Sequence, residues 1–180
     1  MNKKIFLIPG VLFFLLISVF FYLLLIDRNP SELPSMLINK EAPQFKAESL
    51  FNEKTIISNT EFGEEIVLVN FFATWCLPCR AEHPFIKKLS NEPGIKLIGI
   101  NYKDKNEIAK KWLNEMGNPY SKVGVDKNGS IAIDWGLYGI PETYVVDKNG
   151  IVQYKYIGPI TKKTYKQFYS QIKKLKNEKN

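Results

Sequence analysis

The sequence predicts an α/β fold in which a central mixed sheet is covered by helices on both faces, preceded by one transmembrane helix. Two observations predict this class. Strand-like apolar runs alternate with amphipathic helical segments and are followed by a hairpin and a last helix, which is typical of parallel strands joined by crossover helices. In addition, the chain begins with an apolar run of 22 residues that carries no charge.

The N-terminal run, residues 5–26, is long enough to span a membrane. As a helix it would extend about 33 Å at roughly 1.5 Å per residue, against a hydrocarbon core of about 30 Å. A cleaved signal peptide usually has a shorter apolar region followed by small residues, whereas this run continues into Asp27 and Arg28. We therefore expect an uncleaved anchor. Lys3 and Lys4 precede the run, so the positive-inside rule places the N-terminus in the cytoplasm and the remainder of the chain on the other side of the membrane, facing the exterior or the periplasm.

The rest of the chain has the length of one domain. We expect a cytoplasmic N-terminus and anchor at 1–28, a linker rich in Pro and Ser at 29–40, a domain at 41–176 and a basic tail end at 177–180. The net charge is +7, but residues 161–180 alone contribute +6 and residues 29–160 sum to −1. The excess belongs to the C-terminal segment, which argues against a nucleic-acid partner. A solvated helix face explains those lysines, and attraction to anionic headgroups is the alternative.

The first half of the domain contains a hairpin, two strands and a helix. Residues 44–50 and 55–58 flank a polar turn and predict a β-hairpin. Residues 66–73 are nearly all apolar, with β-branched and aromatic side chains, as expected for a strand buried on both faces. Residues 77–90 follow as a helix and residues 95–101 as a second strand.

The second half adds two helices and another hairpin. Residues 104–116 show helical spacing in Ile108, Trp112 and Leu113, and Gly117 supplies a stop. Residues 142–146 and 151–157 flank the turn Asp-Lys-Asn-Gly and predict a second hairpin. Residues 161–176 form an amphipathic helix whose apolar face consists of Tyr165, Phe168, Ile172 and Leu175.

The two cysteines of the chain, Cys76 and Cys79, lie at the junction between a buried strand and a helix. A thiol at a helix N-terminus faces unpaired N–H groups and the positive end of the macrodipole, which favour the thiolate. Cys76 is therefore the predicted nucleophile, and Cys79 is close enough to form a reversible disulfide with it. Pro78 stiffens the turn and lacks an N–H that an early helical position would leave unpaired.

Other interpretations of this motif have less support. A structural zinc ion needs about four ligands, and the chain offers two Cys and one His, His83. A purely structural bridge across two residues closes almost no loop and so gains little entropic stabilisation. A thiol peroxidase would use a single cysteine in a different sequence context. We expect dithiol–disulfide chemistry with no cofactor besides the Cys76–Cys79 pair.

The order strand, Trp-Cys-x-x-Cys, helix, strand, helix and a proline before a hairpin resembles the thioredoxin fold. Several segments resemble more closely the CcmG/DsbE family, membrane-anchored periplasmic thioredoxin-like proteins of cytochrome c maturation. The likeness extends from about residue 34 to 172. The segments are Val-Asn-Phe-Phe-Ala-Thr-Trp-Cys at 69–76, Arg-Ala-Glu-His at 80–83, Asn-Tyr-Lys-Asp at 101–104, Gly-Asn-Pro-Tyr at 117–120 and Tyr-Gly-Ile-Pro-Glu-Thr at 138–143.

The resemblance implies a thiol:disulfide oxidoreductase anchored in the inner membrane that reduces the Cys-x-x-Cys-His disulfide of apocytochrome c before haem attachment. Cys76 would attack that disulfide and Cys79 would resolve the mixed disulfide. Apocytochrome c or its maturation proteins would be the partners, and a membrane thiol carrier of the CcdA or DsbD type would donate electrons. A general extracytoplasmic reductase or oxidase is the main alternative, and a non-enzymatic scaffold of the maturation complex is another.

The resemblance also implies roles for residues around the thiols. Pro141 would be a cis-proline that turns the backbone of Ile140 toward them. Asn70 stands where thioredoxins keep a buried Asp that takes a proton from the resolving cysteine, and an amide cannot do so.

Glu82 and Glu142 are then the nearest substitutes, with solvated surface carboxylates as the alternative for both. They would also make the groove acidic and favour basic substrates. We expect His83 to be an ordinary helix-surface histidine, with an approach to Cys79, four residues earlier, as the alternative. Trp75 would shield the site and contact a partner, with core packing as its alternative.

Overall fold

The computed structural model describes residues 7–25 and 35–177. The chain divides into two compact units, residues 1–30 and 31–180. Parts of the predicted anchor (1–6 and 26–28), of the predicted linker (29–34) and of the predicted tail (178–180) lie outside the described residues.

The first unit contains helix α1, Leu7–Leu25. Its residues Ile8–Leu25 are long and apolar enough to cross a membrane. At roughly 1.5 Å per residue, this stretch covers most of a hydrocarbon core of about 30 Å. A signal sequence has the same character, so the uncleaved state of this helix stays a prediction.

The second unit is built on a seven-stranded mixed sheet with the strand order β2-β1-β5-β4-β3-β6-β7. Strands β3, β4 and β5 are parallel, and the other neighbours pair antiparallel. The strands are β1 Lys46–Ser49, β2 Ile56–Ser58, β3 Ile66–Phe72, β4 Ile95–Tyr102, β5 Lys122–Asp126, β6 Glu142–Val146 and β7 Val152–Ile157. The helices are α2 Leu77–Ser90, α3 Asn106–Met116, α4 Ser130–Asp134 and α5 Lys162–Asn177. A short 3₁₀ turn, Asn59–Glu61, follows β2.

Strand β3 is an interior strand of the sheet, between β4 and β6. All seven of its residues are buried, as its continuous apolar run predicted. Successive side chains point to opposite faces, so Leu68 and Phe72 join a core with α2, α3 and α5, whereas Val69 and Phe71 join a second core around Trp135. The sheet is thus covered on both faces, and the cysteines follow the C-terminal end of a strand that is buried throughout.

The predicted α/β class and both hairpins are confirmed, and besides the short 3₁₀ turn the structure adds one strand, β5, and one helix, α4, that the sequence pattern missed. Strand β5 has glycine at its middle, and a Cβ on Gly124 would stand 2.7 Å from the Cβ of Ala47 on β1. Glycine is unfavourable within a strand, so the sequence alone argues against β5. The close approach of β1 and β5 explains why glycine is nevertheless found at this position. Helix α4 is held by Asp126, whose carboxylate accepts hydrogen bonds from the amides of Gly129, Ile131 and Ala132.

One residue of the predicted apolar face of α3 is not in the core. Ile108 is 49% exposed, and the adjacent Ala109 is buried together with Trp112 and Leu113. The helix is therefore rotated slightly from the orientation that the spacing of large side chains indicated, because a small residue allows closer packing on the sheet. The predicted face of α5 is confirmed: Tyr165, Phe168 and Ile172 are buried, and Leu175 packs against the same core.

Candidate functional site

The two cysteines lie where β3 turns into α2, and they form a disulfide with an S–S distance of 2.06 Å. Cys76 is the N-cap of α2, and its Sγ accepts a hydrogen bond from the amide of Cys79 at 3.1 Å. Both are buried, with 4% of Cys76 and 2% of Cys79 exposed. An amide directed at Sγ stabilises negative charge on that sulfur, so the geometry supports Cys76 as the thiolate once the pair is reduced.

The turn before the cysteines is fixed by a carboxylate that the sequence analysis did not single out. Asp104, which follows β4, accepts hydrogen bonds from the amide of Thr74 at 2.6 Å and from its hydroxyl at 2.9 Å. Asn101 also donates to Asp104. Because β3 and β4 are parallel neighbours, their carboxyl ends meet at one edge, and this is the signal that could have identified Asp104.

Pro141 supplies the opposite wall of the site. The Ile140–Pro141 peptide bond is cis, as the resemblance implied. The carbonyl oxygen of Ile140 lies 3.7 Å from Cys76 Sγ, so the backbone at Ile140 does turn toward the sulfur. An extended polypeptide lying alongside this backbone, next to the cysteines, would find main-chain groups with which to pair.

Trp75 is not a core residue, because 59% of its surface is exposed. Its indole N–H donates to the carbonyl oxygen of Lys103 at 3.1 Å, which fixes the ring beside the disulfide. Pro78 occupies an early position of α2 and is exposed, as is its neighbour Leu77. Exposed apolar groups thus border the cysteines, which is consistent with the predicted contact to a partner; that role stays a prediction.

Glu82 is buried rather than a surface carboxylate, with 1% exposed. One carboxylate oxygen accepts from the side-chain amide of Asn70 at 3.0 Å, and the other accepts from the amide of Ile160 at 3.0 Å. Burial raises the pKa of Glu82 to about 8, although both hydrogen bonds act in the opposite direction. A carboxyl that titrates near neutral pH, one helical turn beyond Cys79, is suited to exchanging protons.

Asn70 connects Glu82 to two hydroxyls that the sequence analysis missed. Tyr120 donates to the Asn70 side-chain oxygen at 2.6 Å, and Asn70 donates to the hydroxyl of Thr143 at 3.0 Å. Burial, and then the nearby charge of Glu82, raise the pKa of Tyr120 well above its usual value. The amide therefore orients a buried polar network around Glu82 while carrying no charge of its own.

Glu142 is also fully buried, but its contacts differ from those of Glu82. It forms an ion pair with Lys155 at 3.0 Å, with both side chains at most 1% exposed. It also accepts hydrogen bonds from the amides of Tyr138 and Gly139 and from the hydroxyl of Tyr144. Glu142 thus holds the loop that leads to Pro141, and these contacts point to positioning rather than to proton acceptance.

Two expectations about charge at the site need correction. Glu82 and Glu142 do not make the groove acidic, because neither is exposed. His83 is not a surface histidine: it is 2% exposed, its Nε2 lies 2.9 Å from the Gly117 carbonyl oxygen, and its ring packs edge-on against Trp112 at 4.5 Å. Burial lowers the pKa of His83, so the neutral ring serves as a packing element between α2 and the end of α3.

No three His, Cys, Asp or Glu side chains come together as a candidate metal site within residues 7–25 and 35–177. The redox group that this part of the chain contains is the Cys76–Cys79 disulfide.

Comparison with known proteins agrees with this geometry. Residues 37–172 match the family model described as Redoxin. The chain is 39% identical over 170 residues to the thiol:disulfide interchange protein DsbE of Vibrio cholerae, covering 93% of this chain and 92% of the relative. It is 41% identical over 140 residues to the thiol:disulfide interchange protein CycY of Rhizobium leguminosarum, covering 78% and 75% respectively.

Solved structures share the fold. The crystal structure of a thiol:disulfide interchange protein DsbE from Chlorobium tepidum superposes with a TM-score of 0.69 at 23% identity, covering 77% of this chain and 96% of that one. A secreted thiol-disulfide isomerase from Corynebacterium glutamicum gives a TM-score of 0.66 at 25% identity, covering 77% and 88%.

Proposed function

The chain belongs to the Redoxin family and, within it, to the thiol:disulfide interchange proteins of the DsbE and CycY type; from this premise we propose that it reduces the Cys-x-x-Cys-His disulfide of apocytochrome c before haem attachment. The single observation that carries the proposal is the disulfide at the N-terminus of α2 facing the backbone of Ile140. This arrangement combines a stabilised thiolate with a surface for an extended peptide.

The proposed reaction consists of two thiol–disulfide exchanges. The Cys76 thiolate attacks one sulfur of the substrate disulfide, forming a mixed disulfide and releasing the second substrate sulfur as a thiolate. Cys79 then loses its proton and attacks Cys76 Sγ, which re-forms the Cys76–Cys79 bond and releases the reduced substrate. Two electrons pass from the protein to the substrate in each cycle.

We assign the two buried carboxylates different parts in this cycle. In its ionised form, Glu82 takes the proton from Cys79, because it is the carboxyl on the same helix; with a pKa of about 8, the fraction of Glu82 able to accept a proton increases as the pH rises toward 8. Glu142 holds the loop before Pro141 through the amides of Tyr138 and Gly139, so that the Ile140 backbone is presented to the substrate.

The cellular setting forms part of the same proposal. Residues 1–28 anchor the protein in the inner membrane with the N-terminus in the cytoplasm, 29–40 act as a tether, and 41–176 work in the periplasm. A membrane thiol carrier of the CcdA or DsbD type re-reduces the Cys76–Cys79 bond. The apolar helix Leu7–Leu25 and the names of the relatives support this assignment.

Trapping of the mixed disulfide tests the function. Cys79→Ser lacks the resolving thiol, so it should accumulate a mixed disulfide between Cys76 and apocytochrome c in cells. Cys76→Ser is the matched control and should trap nothing. Capture of many unrelated extracytoplasmic proteins, without enrichment of apocytochrome c, would indicate a general oxidoreductase. Normal cytochrome c maturation in the double variant lacking both cysteines would indicate a scaffold.

A further inference from the structure

An open cleft of about 700 Å³ lies beside the disulfide, between the start of α2 and the loop from β4 to α3. Trp75 and the exposed Ile108 contribute apolar surface to it. Four exposed cations also line the cleft: Arg80, Lys103, Lys105 and Lys127. We call this feature the cationic cleft.

The positive charge of the cationic cleft is only partly balanced. Lys127 pairs with Glu48 at 3.0 Å. Asp104 is the one carboxylate among the described residues that line the cleft. Its oxygens already accept hydrogen bonds from Thr74, Asn101 and the amide of Lys105.

The other three cations have no such partner. Within residues 35–177, Arg80, Lys103 and Lys105 form no ion pair with a carboxylate. Like charges that share an open cleft repel one another, and an incoming anion relieves that repulsion. The cleft therefore favours a negatively charged occupant.

The backbone of Lys103 gives an independent indication. Its φ angle is 45°, in the left-handed region that a residue with a side chain adopts at a cost. The amide of Lys103 donates to Asp126 at 2.9 Å, and its carbonyl oxygen holds the Trp75 indole. Glycine or asparagine would satisfy this backbone with less strain, so the presence of lysine points to a use for its side chain at the edge of the site.

We propose that the cationic cleft binds an acidic segment of the partner polypeptide, next to the disulfide that Cys76 attacks. This inference rests on the proposed thiol–disulfide exchange and specifies its substrate. Trp75 directly precedes Cys76, so residues close in sequence to the bound substrate cysteine reach the cleft. Since Glu82 and Glu142 are buried, the surface that meets the substrate is positive, and acidic flanks are preferred over basic ones.

Matched peptides test the preference. Three peptides with the same Cys-x-x-Cys disulfide, flanked by Asp and Glu, by Ser, or by Lys, are reduced by the full-length reduced protein in micelles of an uncharged detergent. The acidic peptide should react about three- to tenfold faster than the Ser peptide at low salt, and the Lys peptide more slowly than either, because surface charge mainly changes association rates. The advantage should disappear as salt shortens the Debye length from about 10 Å at 0.1 M to about 3 Å at 1 M.

Variants locate the effect. In Lys103→Gln/Lys105→Gln, the ratio of the acidic-peptide rate to the Ser-peptide rate should fall to about one. In Lys103→Arg/Lys105→Arg, it should stay at the wild-type value. The control Lys54→Gln/Lys174→Gln removes two exposed lysines outside the cleft and should leave the ratio unchanged. Any effect of these charges on the reactivity of the Cys76 thiolate changes the rates with both peptides equally and therefore cancels in the ratio of the two rates.

Equal rates for the three peptides, or an equal loss of the rate ratio in the control variant, would overturn the cleft proposal. The proposal also fails if, without peptide, reconstitution into anionic proteoliposomes protects Lys103 and Lys105 from chemical acetylation, because the cleft would then bind the membrane. In each of these cases, reduction of the Ser peptide still measures thiol–disulfide exchange. If no peptide is reduced, the proposed function itself fails.

Discussion

At the scale of single residues, the chemistry depends on two sulfurs with different surroundings. The Cys76 sulfur accepts a hydrogen bond from the amide of Cys79, and Cys79 lies on α2 three residues before Glu82, which is hydrogen-bonded to Asn70. The sequence pattern located both cysteines at the junction of strand and helix where the structure has them, and the ranking of Cys76 as the nucleophile stays a prediction. The pattern did not identify Tyr120 or Thr143 as members of the site, because these residues lie 50 and 73 positions after Asn70 in the sequence.

We expect Cys76 to be alkylated faster than Cys79 in the reduced protein, with an apparent pKa below the value of about 8.5 typical of a free thiol. Mass spectrometry after short pulses of iodoacetamide, across about pH 5 to 9, measures the two rates separately. The single variants Cys76→Ser and Cys79→Ser provide the controls for peptide assignment. Equal rates for both thiols across that range would contradict the ranking.

Glu82 should give the protein a characteristic dependence of stability on pH. Its pKa is about 8 in the folded protein and 4.5 when exposed, so the folded state keeps a proton that the unfolded state releases. This contribution is complete below about pH 4.5 and is lost as the pH rises to about 8, at up to about 1.4 kcal/mol per pH unit. In Glu82→Gln, this contribution to the pH dependence of stability should be absent, and the free energy of unfolding should otherwise differ from the wild type by an amount that does not change with pH.

The free energies of unfolding of the oxidised wild type and of Glu82→Gln, measured in denaturant at several pH values, test this expectation. The difference between them should change in favour of the variant as the pH rises, because all other groups are common to both. Parallel curves between about pH 5 and 8 would show that Glu82 is ionised throughout.

Glu82→Gln should also slow release of substrate from the mixed disulfide, because Cys79 loses its proton acceptor, and attack by Cys76 should change little. Stopped-flow measurement of both steps with a disulfide peptide separates them. Glu142→Gln is the comparison: it should weaken peptide binding through the loop it holds and leave the pH profile of release unaltered. If the two variants together change neither step, both carboxylates serve only to stabilise the fold.

At the scale of elements, the strands and helices with strong periodicity were predictable, and the short ones were not. Helix α2 begins and ends where its pattern indicated, at Leu77 and Ser90, and β3 matches its apolar run to within one residue. Strand β5 and helix α4 depend on partners that are distant in the chain, because Gly124 fits against Ala47 and Asp126 caps α4. The secondary-structure propensities of neighbouring residues do not depend on such long-range contacts, so they could not predict β5 or α4.

Gly124→Ala should destabilise the domain by about 1–3 kcal/mol, because the new methyl group would stand 2.7 Å from the Cβ of Ala47 and the two strands would have to separate. Gly139→Ala is the control, since a Cβ there meets nothing within 4 Å. Equal midpoints of denaturation for the two variants would mean that β1 moves away without cost.

The loop before Pro141 depends on the ion pair between Lys155 of β7 and Glu142 of β6. Lys155 also donates to the carbonyl oxygen of Gly136 and lies 4.1 Å from the ring centre of Tyr138. Lys155→Met should cost about 3–5 kcal/mol, because Glu142 would remain buried without its cation. Denaturant unfolding measures the loss, and Lys155→Met/Glu142→Gln should recover part of it.

Lys111→Met provides the exposed counterpart, since its pair with Glu115 is 3.8 Å long and solvated, and it should cost less than about 1 kcal/mol. A loss of similar size in Lys155→Met would show that water reaches the buried pair.

At the scale of the whole molecule, the sequence predicts an apolar helix and a redox domain that fold separately. A reporter fused after Asn180 should be active only outside the cytoplasm, and removal of residues 1–28 should leave a folded, redox-active domain, because the apolar helix and the domain form separate compact units. Reporter activity and the disulfide exchange rate of the shortened protein check the two statements. A native chain that starts near residue 27 and is released from the membrane would contradict the anchor.

The strand order separates the redox centre from one edge of the sheet. The cysteines, Asn70 and the Pro141 loop are carried on β3 and β6 or next to them, whereas the hairpin β1–β2 forms the far border of the sheet. Because β5 and β4 separate that hairpin from β3, a change in the β1–β2 hairpin acts on the redox centre only through the packing of the sheet, of which the contact between Ala47 and Gly124 is one part.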